Sequence, residues 1–408
     1  MEYELKKVGS QFIFDFVKIK VAVRKIRETS NSMFAELEFF TLRENDKRII
    51  LNTNLNLLSI RSRNELVGEL SEIIQDFDWY QIIKTICERT LEEHRKGEPP
   101  EPLSSSDEIG TADFLIDPII YRNKPNMIYG AGGSFKSFFA LLLAVLCQDG
   151  EKEFLGMKFS KATPLILDYE GEKNETRRRI KMIEKSLELP PVSILYRQSA
   201  RPFVDEIDEI EKIVAENNVD FLIIDSLGIA CATQSLNEIE SANSFFSALR
   251  RLPVTSLLIT HIAKDILTRQ GKRSMPFGSI FFYNFARNIF ELKVSREDNP
   301  TVAYTGLFHR KNNQGMLIEP MAFEIGFSEG RLKIAPCKVE DIPEFNDEIT
   351  LKKRMRNLLL HGRMTVKEIA QNLRISASTC RTILNRHPEM FIKIGKEWGV
   401  MTRGQGDL

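Results

Sequence analysis

The sequence lacks the features that mark membrane, secreted and zinc-binding proteins. It contains no run of about eighteen apolar residues, so we expect no membrane span. The N-terminal segment Met1–Lys7 is mostly polar and is not followed by the apolar core of a secretion signal. Five cysteines are scattered through the chain without a CxxC pair, which favours reduced thiols over a disulfide framework or a zinc site. We therefore expect a cytoplasmic protein.

The chain also lacks an excess of charge of one sign. Lys and Arg together number 57, and Asp and Glu together also number 57. A neutral total argues against a protein that coats nucleic acid with its whole surface, although it can conceal an uneven distribution. With 408 residues the chain is too long for one ordinary core, so we expect more than one domain.

The composition divides the chain into folded regions joined by linkers. Residues 1–96 combine aromatic and β-branched alternation with helical spacing, which predicts a small α+β domain for docking or oligomerisation rather than catalysis. Residues 97–112 are rich in Pro, Ser and acidic residues and are predicted to be a linker. Residues 113–335 alternate short apolar strands with amphipathic helices, which predicts an α/β domain with a mostly parallel sheet. A second predicted linker, 336–349, precedes a small domain at 350–408.

A glycine-rich turn follows the predicted strand Asn126–Tyr129. Its sequence, GAGGSFKS, matches the P-loop pattern G-x-x-x-x-G-K-[ST] except at Phe135, which stands at the second motif glycine. We expect the backbone of this turn to cradle the phosphates of ATP, Lys136 to reach the β- and γ-phosphates, and Ser137 to ligate Mg²⁺. The residues of the predicted cradle are Gly130, Ala131, Gly132, Gly133, Ser134, Phe135, Lys136 and Ser137.

Phe135 leaves three interpretations of this turn open. Gly132 and Gly133 can supply the flexibility that the missing glycine would give. The phenyl side chain can instead lie on the flank of the nucleotide. A third possibility is a degenerate P-loop that binds nucleotide but turns it over poorly.

Two predicted strands end in carboxylates. Asp225 follows the apolar run Phe221–Ile224, the Walker B pattern, and is expected to hold Mg²⁺ through water. Asp168 and Glu170 follow the strand Pro164–Leu167. A general base must lie near the γ-phosphate, at the end of a strand adjacent to the P-loop strand, and Glu170 is our candidate. The alternative is that both carboxylates only cap the helix that follows.

A histidine closes another predicted strand. His261 follows Ser256–Thr260, where a polar side chain can sense the γ-phosphate and pass the signal to a moving element. A purely structural histidine is the alternative at this position.

In their order along the chain, these motifs resemble those of RecA-like hexameric ATPases related to plasmid RepA and DnaB-type replicative helicases, in particular the RepA-like AAA ATPases of phages and other mobile elements. The resemblance covers about Asp113–Ile334 and is carried by IYGAGGSFKSFFALLLA, LILDYEGEKNETRRR, FLIIDSLG, SLNEIESANSFFSALRRL, SLLITHIAK, GSIFFYNFARNIFEL and HRKNNQG. It implies that Glu170 is the catalytic carboxylate, Asp225 the Walker B acid and His261 the sensor.

The resemblance further implies a homo-oligomer, a hexameric ring in which cations reach the ATP site of a neighbouring subunit. Arg287 and Lys311 stand at the matching positions, and such groups stabilise the charge of phosphoryl transfer. A surface charge at Arg287 and a solvated turn at Lys311 are the alternatives. The polar segment Lys264–Arg273 is predicted to be a mobile loop that either lines the channel of the ring and touches DNA or has no such role.

The last region concentrates positive charge. From Thr350 onward, twelve Lys and Arg residues stand against four Asp and Glu, a net charge of +8. Helices are predicted at Leu351–Leu360, Thr365–Leu373 and Ser376–Asn385, followed by a hairpin from Phe391 to Met401, which is a winged-helix pattern. The residues expected to face DNA are Ser376, Ser378, Thr379, Arg381 and Arg386, with Lys393 and Lys396 of the wing. Winged helices also dock proteins, which is the alternative.

The sequence therefore predicts a RecA-like P-loop domain between a small α+β domain and a winged helix. The favoured function is a ring-forming, DNA-binding ATPase that uses ATP and Mg²⁺, a helicase or translocase of a mobile element acting on single- or double-stranded DNA. The alternative is a DNA-binding regulator or defence component in which ATP controls assembly without unwinding.

Overall fold

The structure is a computed structural model, and it describes residues 2–28, 31–43, 46–96, 100, 102, 113–150, 152–231, 239–262, 275–276, 280–296, 301–328 and 331–401. The predicted loop Lys264–Arg273 lies outside these residues, as does the predicted linker 97–112 apart from residues 100 and 102. The chain divides into two units. Unit 1 consists of Met1–Thr111, Phe203–Asn218 and Ser244–Pro253, and unit 2 of Ala112–Pro202, Val219–Asn243 and Val254–Leu408. Among the described residues, no helix combines the length and apolarity needed to cross a membrane.

The described elements change in character along the chain, from strands, through strand–helix alternation, to a small helical region. The strands are β1 (Glu4–Val8), β2 (Gln11–Asp15), β3 (Ile19–Glu28), β4 (Met33–Arg43), β5 (Asp46–Asn56), β6 (Phe114–Asp117), β7 (Ile120–Tyr121), β8 (Pro125–Gly130), β9 (Lys152–Phe154), β10 (Met157–Phe159), β11 (Pro164–Asp168), β12 (Leu195–Gln198), β13 (Phe221–Asp225), β14 (Thr255–His261), β15 (Asn288–Ser295), β16 (Val302–Asn312), β17 (Met321–Ser328), β18 (Arg331–Cys337), β19 (Met364–Thr365), β20 (Phe391–Ile394) and β21 (Glu397–Val400). The α-helices are α1 (Ile60–Ile73), α2 (Trp79–Lys96), α3 (Lys136–Asp149), α4 (Lys173–Ser186), α5 (Phe203–Asn217), α6 (Leu227–Ala230), α7 (Ile239–Leu249), α8 (Ile280–Phe285), α9 (Leu351–Leu360), α10 (Val366–Leu373) and α11 (Ala377–Arg386).

In unit 1, strands β1 to β5 form an antiparallel sheet in sequential order. Along β3 the side chains of Ile19, Val21 and Val23 are fully buried and alternate with partly exposed ones, as expected for a strand with one face on a core. Helix α1 starts after Ser59, whose hydroxyl accepts a hydrogen bond from Ser62 N at 3.2 Å. The region predicted as α+β is thus mostly antiparallel sheet, with α1 and α2 following it.

Helix α5 and residues 244–253, which begin within α7, also belong to unit 1. Arg251 forms ion pairs there with Asp208 and Glu211 of α5. The hydroxyl of Ser10, in the turn between β1 and β2, lies 3.1 Å from Asp208 Oδ1 and 2.9 Å from Glu211 Oε2. Gly9 in the same turn has a φ of +60°, and a Cβ there would lie 2.7 Å from the carboxyl carbon of Glu211. The turn therefore requires glycine to approach α5.

In unit 2, a nine-stranded sheet has the order β12-β11-β13-β14-β8-β15-β16-β17-β18. The strands from β12 to β15 pair in parallel, as predicted, whereas β16, β17 and β18 extend the sheet in antiparallel pairs. The antiparallel extension was not predicted. A second, four-stranded sheet has the order β7-β6-β10-β9.

Helix α3 lies in the core of unit 2. Every residue from Phe138 to Cys147 is buried, as expected for a helix that is apolar on all sides. The helix shares its core with Ile128 of β8, Ile223 of β13 and Ile259 of β14. Because only residues 131–135 separate the end of β8 from the start of α3, the helix begins at the carboxyl edge of the parallel strands.

The C-terminal part of unit 2 contains α9, α10, α11 and a small sheet of order β19-β21-β20. The helix and hairpin bounds differ from those predicted by a single residue at most. Buried side chains of these elements, among them Met355, Ile369 and Trp398, form a core of their own. The segment predicted as the second linker contains two short 3-10 helices, Val339–Asp341 and Pro343–Glu348, whose apolar residues pack against β16 and β17.

Candidate active site

The P-loop backbone approaches the neighbouring strand closely. A Cβ on Gly130 would lie 2.3 Å from the carbonyl oxygen of Leu292 in β15 and 2.7 Å from the hydroxyl of Ser134. Only glycine therefore fits at this position, where β8 turns into the loop. Gly133 has a φ of +72°, which glycine adopts without strain.

Phe135 occupies the left-handed region of the backbone, with φ 62° and ψ 19°. For a residue other than glycine this conformation costs roughly 1–2 kcal/mol. The second motif glycine would fit here without strain, so the phenylalanine adds a side chain at a position whose backbone favours glycine. Its ring packs against Phe327 of β17, with ring centroids 5.6 Å apart, and the Arg296 guanidinium lies over it at 5.8 Å.

Lys136 is the buried cation of the site and is 5% exposed. Its ammonium donates to the carbonyl of Ala131 at 2.7 Å and lies 3.5 Å from the hydroxyl of Ser134. Burial lowers the pKa of Lys136, and the nearby carboxylates of Asp225 and Glu170 oppose this shift. The ammonium of Lys136 thus contacts the P-loop itself, at the place where it is predicted to bind the phosphates of ATP.

Asp225 lies at the carboxyl end of β13, hydrogen-bonded to the side chain of Ser137 at the start of α3. Burial raises the pKa of Asp225 to about 6, against the opposing effect of that hydrogen bond. A hydroxyl and a carboxylate are oxygen ligands of the kind that Mg²⁺ prefers, so the pair fits the predicted metal. Among the described residues no cluster of three His, Cys, Asp or Glu side chains could hold a metal by itself. The phosphates of a nucleotide would have to complete the coordination.

Glu170 lies beside Asp225 although the strands are arranged differently from the prediction. The P-loop strand β8 is flanked by β14 and β15, so the expectation that Glu170 follows a strand adjacent to β8 is wrong. Glu170 follows β11, and the loop after that strand returns to the site, where Tyr169 N donates to Asp225 O at 2.7 Å.

The Glu170 carboxylate has two side-chain partners. His261 Nε2 lies 3.4 Å from Glu170 Oε1, and the Ser226 hydroxyl donates to the same oxygen. The hydrogen bond with His261 is the main cause that lowers the pKa of Glu170, while burial opposes it and Ser226 adds to the lowering. The structure therefore brings the predicted base and the predicted sensor into direct contact.

Asp168 binds the turn before α4 and does not cap that helix, whose N-cap residue is Glu172 without a side-chain cap hydrogen bond. One of its oxygens accepts from Glu170 N at 3.1 Å and Gly171 N at 2.7 Å. The other lies 3.4 Å from the Thr176 hydroxyl in α4 and accepts from the Tyr196 hydroxyl at 3.0 Å. Asp168 thus fixes the turn that carries Glu170, and the carboxylate of Glu170 remains directed to the site.

One pocket collects most of the predicted site residues. It is lined by Gly133, Ser134, Phe135, Lys136, Ser137, Phe138, Glu170, Arg179, Met182, Asp225, His261, Arg296 and Phe327. Sequence reasoning missed Ser226, Arg179, Arg296 and Phe327. Arg179 belongs to a run of three arginines that reads as a solvated helix face, and Arg296 follows β15 outside any motif. Only the three-dimensional structure shows that these side chains lie beside the P-loop.

Arg287 and Lys311 lie at the other edge of the sheet. Arg287 precedes β15, and its N–H donates to Pro125 O at the start of β8, at 2.9 Å. The P-loop begins at the opposite end of β8, about 17 Å away at 3.3–3.4 Å per strand residue. Neither cation is therefore brought to the pocket of its own chain. Arg287 is exposed.

The ammonium of Lys311 is fully engaged within its own chain. It donates to the carbonyls of Tyr283, Asn284 and Ala286 at 2.9, 2.7 and 2.8 Å. These carbonyls lie at the end of α8, so the lysine caps that helix. Burial, with a smaller contribution from the nearby Arg287, lowers the pKa of Lys311.

The residues predicted to face DNA lie on α11 and the hairpin, and all of them are exposed. Two of them have a local structural role, because the Ser376 hydroxyl accepts from Thr379 N at 3.0 Å and lies 2.8 Å from the Thr379 hydroxyl. That pair caps the start of α11. The exposed side chains of Ser378, Arg381 and Arg386 follow along the helix, and Lys393 and Lys396 lie on the hairpin.

The AAA domain family matches residues 101–266, which include the P-loop, Glu170, Asp225 and His261. Among solved structures, a KaiC-like protein of the hyperthermophilic archaeon Pyrococcus horikoshii is similar over 56% of this chain and 98% of that chain, with 16% identity and a TM-score of 0.37. None of the curated proteins matches the sequence. The P-loop follows β8, one strand separates β8 from the Asp225 strand, and the family match covers both. The family match and this strand order support a RecA-like P-loop ATPase domain in this part of unit 2.

Proposed function

We propose that this protein is a DNA-dependent ATPase that works as a ring of identical subunits, a helicase or translocase of the RepA or DnaB type. The observation that supports hydrolysis best is the contact between Glu170 and His261 in the pocket that also holds Lys136 and Asp225. A protein that only binds nucleotide needs the lysine and the P-loop, but it does not need an ionised carboxylate beside them.

Each side chain has a defined part in this proposal. Lys136 exchanges the Ala131 carbonyl for phosphate oxygens, and Ser137 with Asp225 holds Mg²⁺, which neutralises phosphoryl charge. Glu170 orients the attacking water and accepts its proton, and its lowered pKa keeps it ionised at neutral pH. His261 exchanges its contact with Glu170 for the γ-phosphate, so the occupancy of the site changes the position of the end of β14.

Assembly of a ring would bring Arg287 of one subunit to the pocket of the next. Its exposure and its place at the sheet edge away from its own P-loop support a role in trans. Lys311 would first have to leave three carbonyl partners, so Arg287 is the principal cation in this proposal.

The C-terminal elements would form a winged helix that binds DNA. Arg381 and Arg386 on α11 would enter the major groove, while Lys393 and Lys396 meet phosphates. The exposure of these side chains and the net charge of +8 support this assignment. Ser376 and Thr379 would contribute by fixing the start of α11 rather than by reading bases.

Replacing Glu170 with Gln tests the hydrolytic part. We expect phosphate release to fall by about 100-fold or more, with ATP binding retained, because the amide cannot accept the proton of the attacking water. Glu172→Gln is the matched control, since Glu172 is exposed and makes no side-chain hydrogen bond as the cap of α4. Wild-type turnover by the Glu170→Gln variant would overturn the proposal.

Mass in solution, measured with and without a non-hydrolysable ATP analogue, tests the assembly. A stable monomer under both conditions removes the role of Arg287 in trans.

A second candidate function, an ATP-regulated DNA-binding protein without unwinding, is favoured by the occupied ammonium of Lys311. Unwinding of a forked DNA supports the motor, whereas ATP-dependent DNA binding without unwinding supports the regulator.

A further inference from the structure

The pocket beside the P-loop has an apolar wall that its phosphate-binding role leaves unexplained. Phe135, Phe327 and Met182 line it together with Arg296. The ring of Phe135 has two close neighbours, Phe327 at 5.6 Å and the Arg296 guanidinium at 5.8 Å. Such a wall is a poor environment for phosphate charge, which polar groups must solvate, but it suits a flat, weakly polar ring.

Arg296 is held in place by two independent contacts. Its Nη2 donates to the carbonyl of Gly133 at 3.1 Å, and its guanidinium packs on Phe135. The residue follows β15 at the carboxyl edge and is otherwise exposed. A guanidinium packed on one aromatic ring keeps a second planar face, and guanidinium planes commonly stack on nucleobases.

We propose that Phe135 is a positioning residue that holds Arg296 at the mouth of the pocket, where the free face of the guanidinium stacks on the base of the bound nucleotide. The proposal deepens the proposed function and rests on its nucleotide-binding part. It explains why a phenylalanine occupies a backbone conformation that favours glycine, because the ring places a base-binding group that glycine would leave unanchored.

The test compares ADP with inorganic tripolyphosphate, which contains phosphates but no base, by titration calorimetry in Mg²⁺. We expect Arg296→Ala to weaken ADP binding about tenfold and to leave tripolyphosphate binding within about twofold of wild type, since base stacking contributes at this scale. Arg178→Ala is the matched control, because Arg178 is an exposed cation on α4, the helix that carries Arg179 and Met182. We expect it to change neither affinity.

Phe135→Gly restores the P-loop motif and gives the sharpest outcome. A merely weakened P-loop would bind ADP better once the glycine is restored, whereas the proposal expects a loss of about fivefold for ADP and none for tripolyphosphate. Phe135→Tyr, which keeps the ring, should retain wild-type ADP affinity.

Three results would overturn the inference. Equal losses for ADP and tripolyphosphate in Arg296→Ala would make Arg296 a phosphate ligand. Unchanged ADP binding in Arg296→Ala would remove its contact with the base. Tighter ADP binding by Phe135→Gly would remove the positioning role. The proposed function fails separately, if the wild-type protein binds neither ADP nor ATP or if turnover does not depend on Glu170.

Discussion

At the carboxyl edge of the nine-stranded sheet, Lys136, Glu170 and Asp225 lie around one pocket, whereas at the amino edge Asn126, Asn288 and His309 are buried and hydrogen-bonded in a chain. The first set consists of ionisable groups, two of them with a pKa shifted by burial against their charged form. The second set consists of polar groups that satisfy one another and nearby backbone carbonyls. The carboxyl edge therefore carries ionisable groups around a pocket, and the amino edge carries hydrogen bonds that connect the strands.

Two histidines show the same contrast. The side chain of His261 is 45% exposed and lies 3.4 Å from Glu170 Oε1. His309 is buried and stacks on Phe290 with ring centroids 4.2 Å apart. Its Nδ1 accepts from Ile318 N at 3.0 Å, so Nε2 carries the proton and donates to the Asn288 side-chain oxygen at 2.8 Å. A histidine fixed in this way contributes to packing, while one beside a carboxylate at a pocket can respond to a ligand.

The largest effect should come from the amino edge. Asn288→Leu removes the donor to the Ile119 carbonyl and to Asn126 Oδ1, and it leaves His309 Nε2 with the Lys311 carbonyl alone. We expect the free energy of unfolding to fall by about 4 kcal/mol, at roughly 1–3 kcal/mol for each buried group that loses a partner. Denaturant titration measures the loss, with exposed Asn385→Leu as control. Equal stability of the two variants would mean that the network does not secure the strands.

A gain in stability is expected at the carboxyl edge. Burial raises the pKa of Asp225 from 3.8 to about 6. Between pH 3.8 and pH 6, the carboxyl group is therefore protonated in the native protein and ionised in the unfolded protein. The contribution of Asp225 to stability therefore falls as pH rises through this window. Without nucleotide, Asp225→Asn should match wild type near pH 4 and exceed it by about 3 kcal/mol at pH 8. Equal unfolding curves at both pH values would contradict a poised, charged edge.

The smallest effect should have the opposite pH dependence. Burial lowers the pKa of His309 below 6.5, so below that pH the unfolded chain binds a proton that the native protein resists. Stability attributable to His309 is present above pH 6.5 and is lost on acidification. The difference in thermal stability between wild type and His309→Gln should shrink as pH falls from 8 to 5. A difference that grows on acidification would show that His309 is protonated in the fold.

Much of the carboxyl edge was predictable because its residues form local patterns. A glycine-rich turn after a strand, an acid ending an apolar run and a histidine ending another each identify a position without a structure. The element bounds of the C-terminal region were equally accessible, since caps such as Ser376 and the hairpin around Gly395 are local signals. The antiparallel strands β1 and β5 were missed, and β1 carries largely exposed, charged side chains that show no alternation of polarity.

The remaining features depend on contacts between distant segments. Two strands, β13 and β14, separate β11 from β8, and residue spacing does not encode this sheet order. The contact of Arg296 with Phe135 joins residues that are 161 positions apart in the sequence. Lys311 was predicted to reach the ATP site of a neighbouring subunit. In the structure its ammonium binds three carbonyls at the end of α8 and caps that helix within its own chain. Its role in trans remains a prediction.

The Gly9–Ser10 turn has a practical consequence for dissecting the chain. Asp208 and Glu211 lie in the middle of the ATPase sequence, yet they fold with the first residues of the protein. A truncation that starts after the linker at residue 112 would strip Ser10 from these carboxylates and expose the face of α5 that the turn contacts. The N-terminal region therefore cannot be removed without consequence for the rest of the chain. An isolated ATPase fragment would expose the acidic surface of α5, with Asp208 and Glu211, that the turn contacts in the full protein.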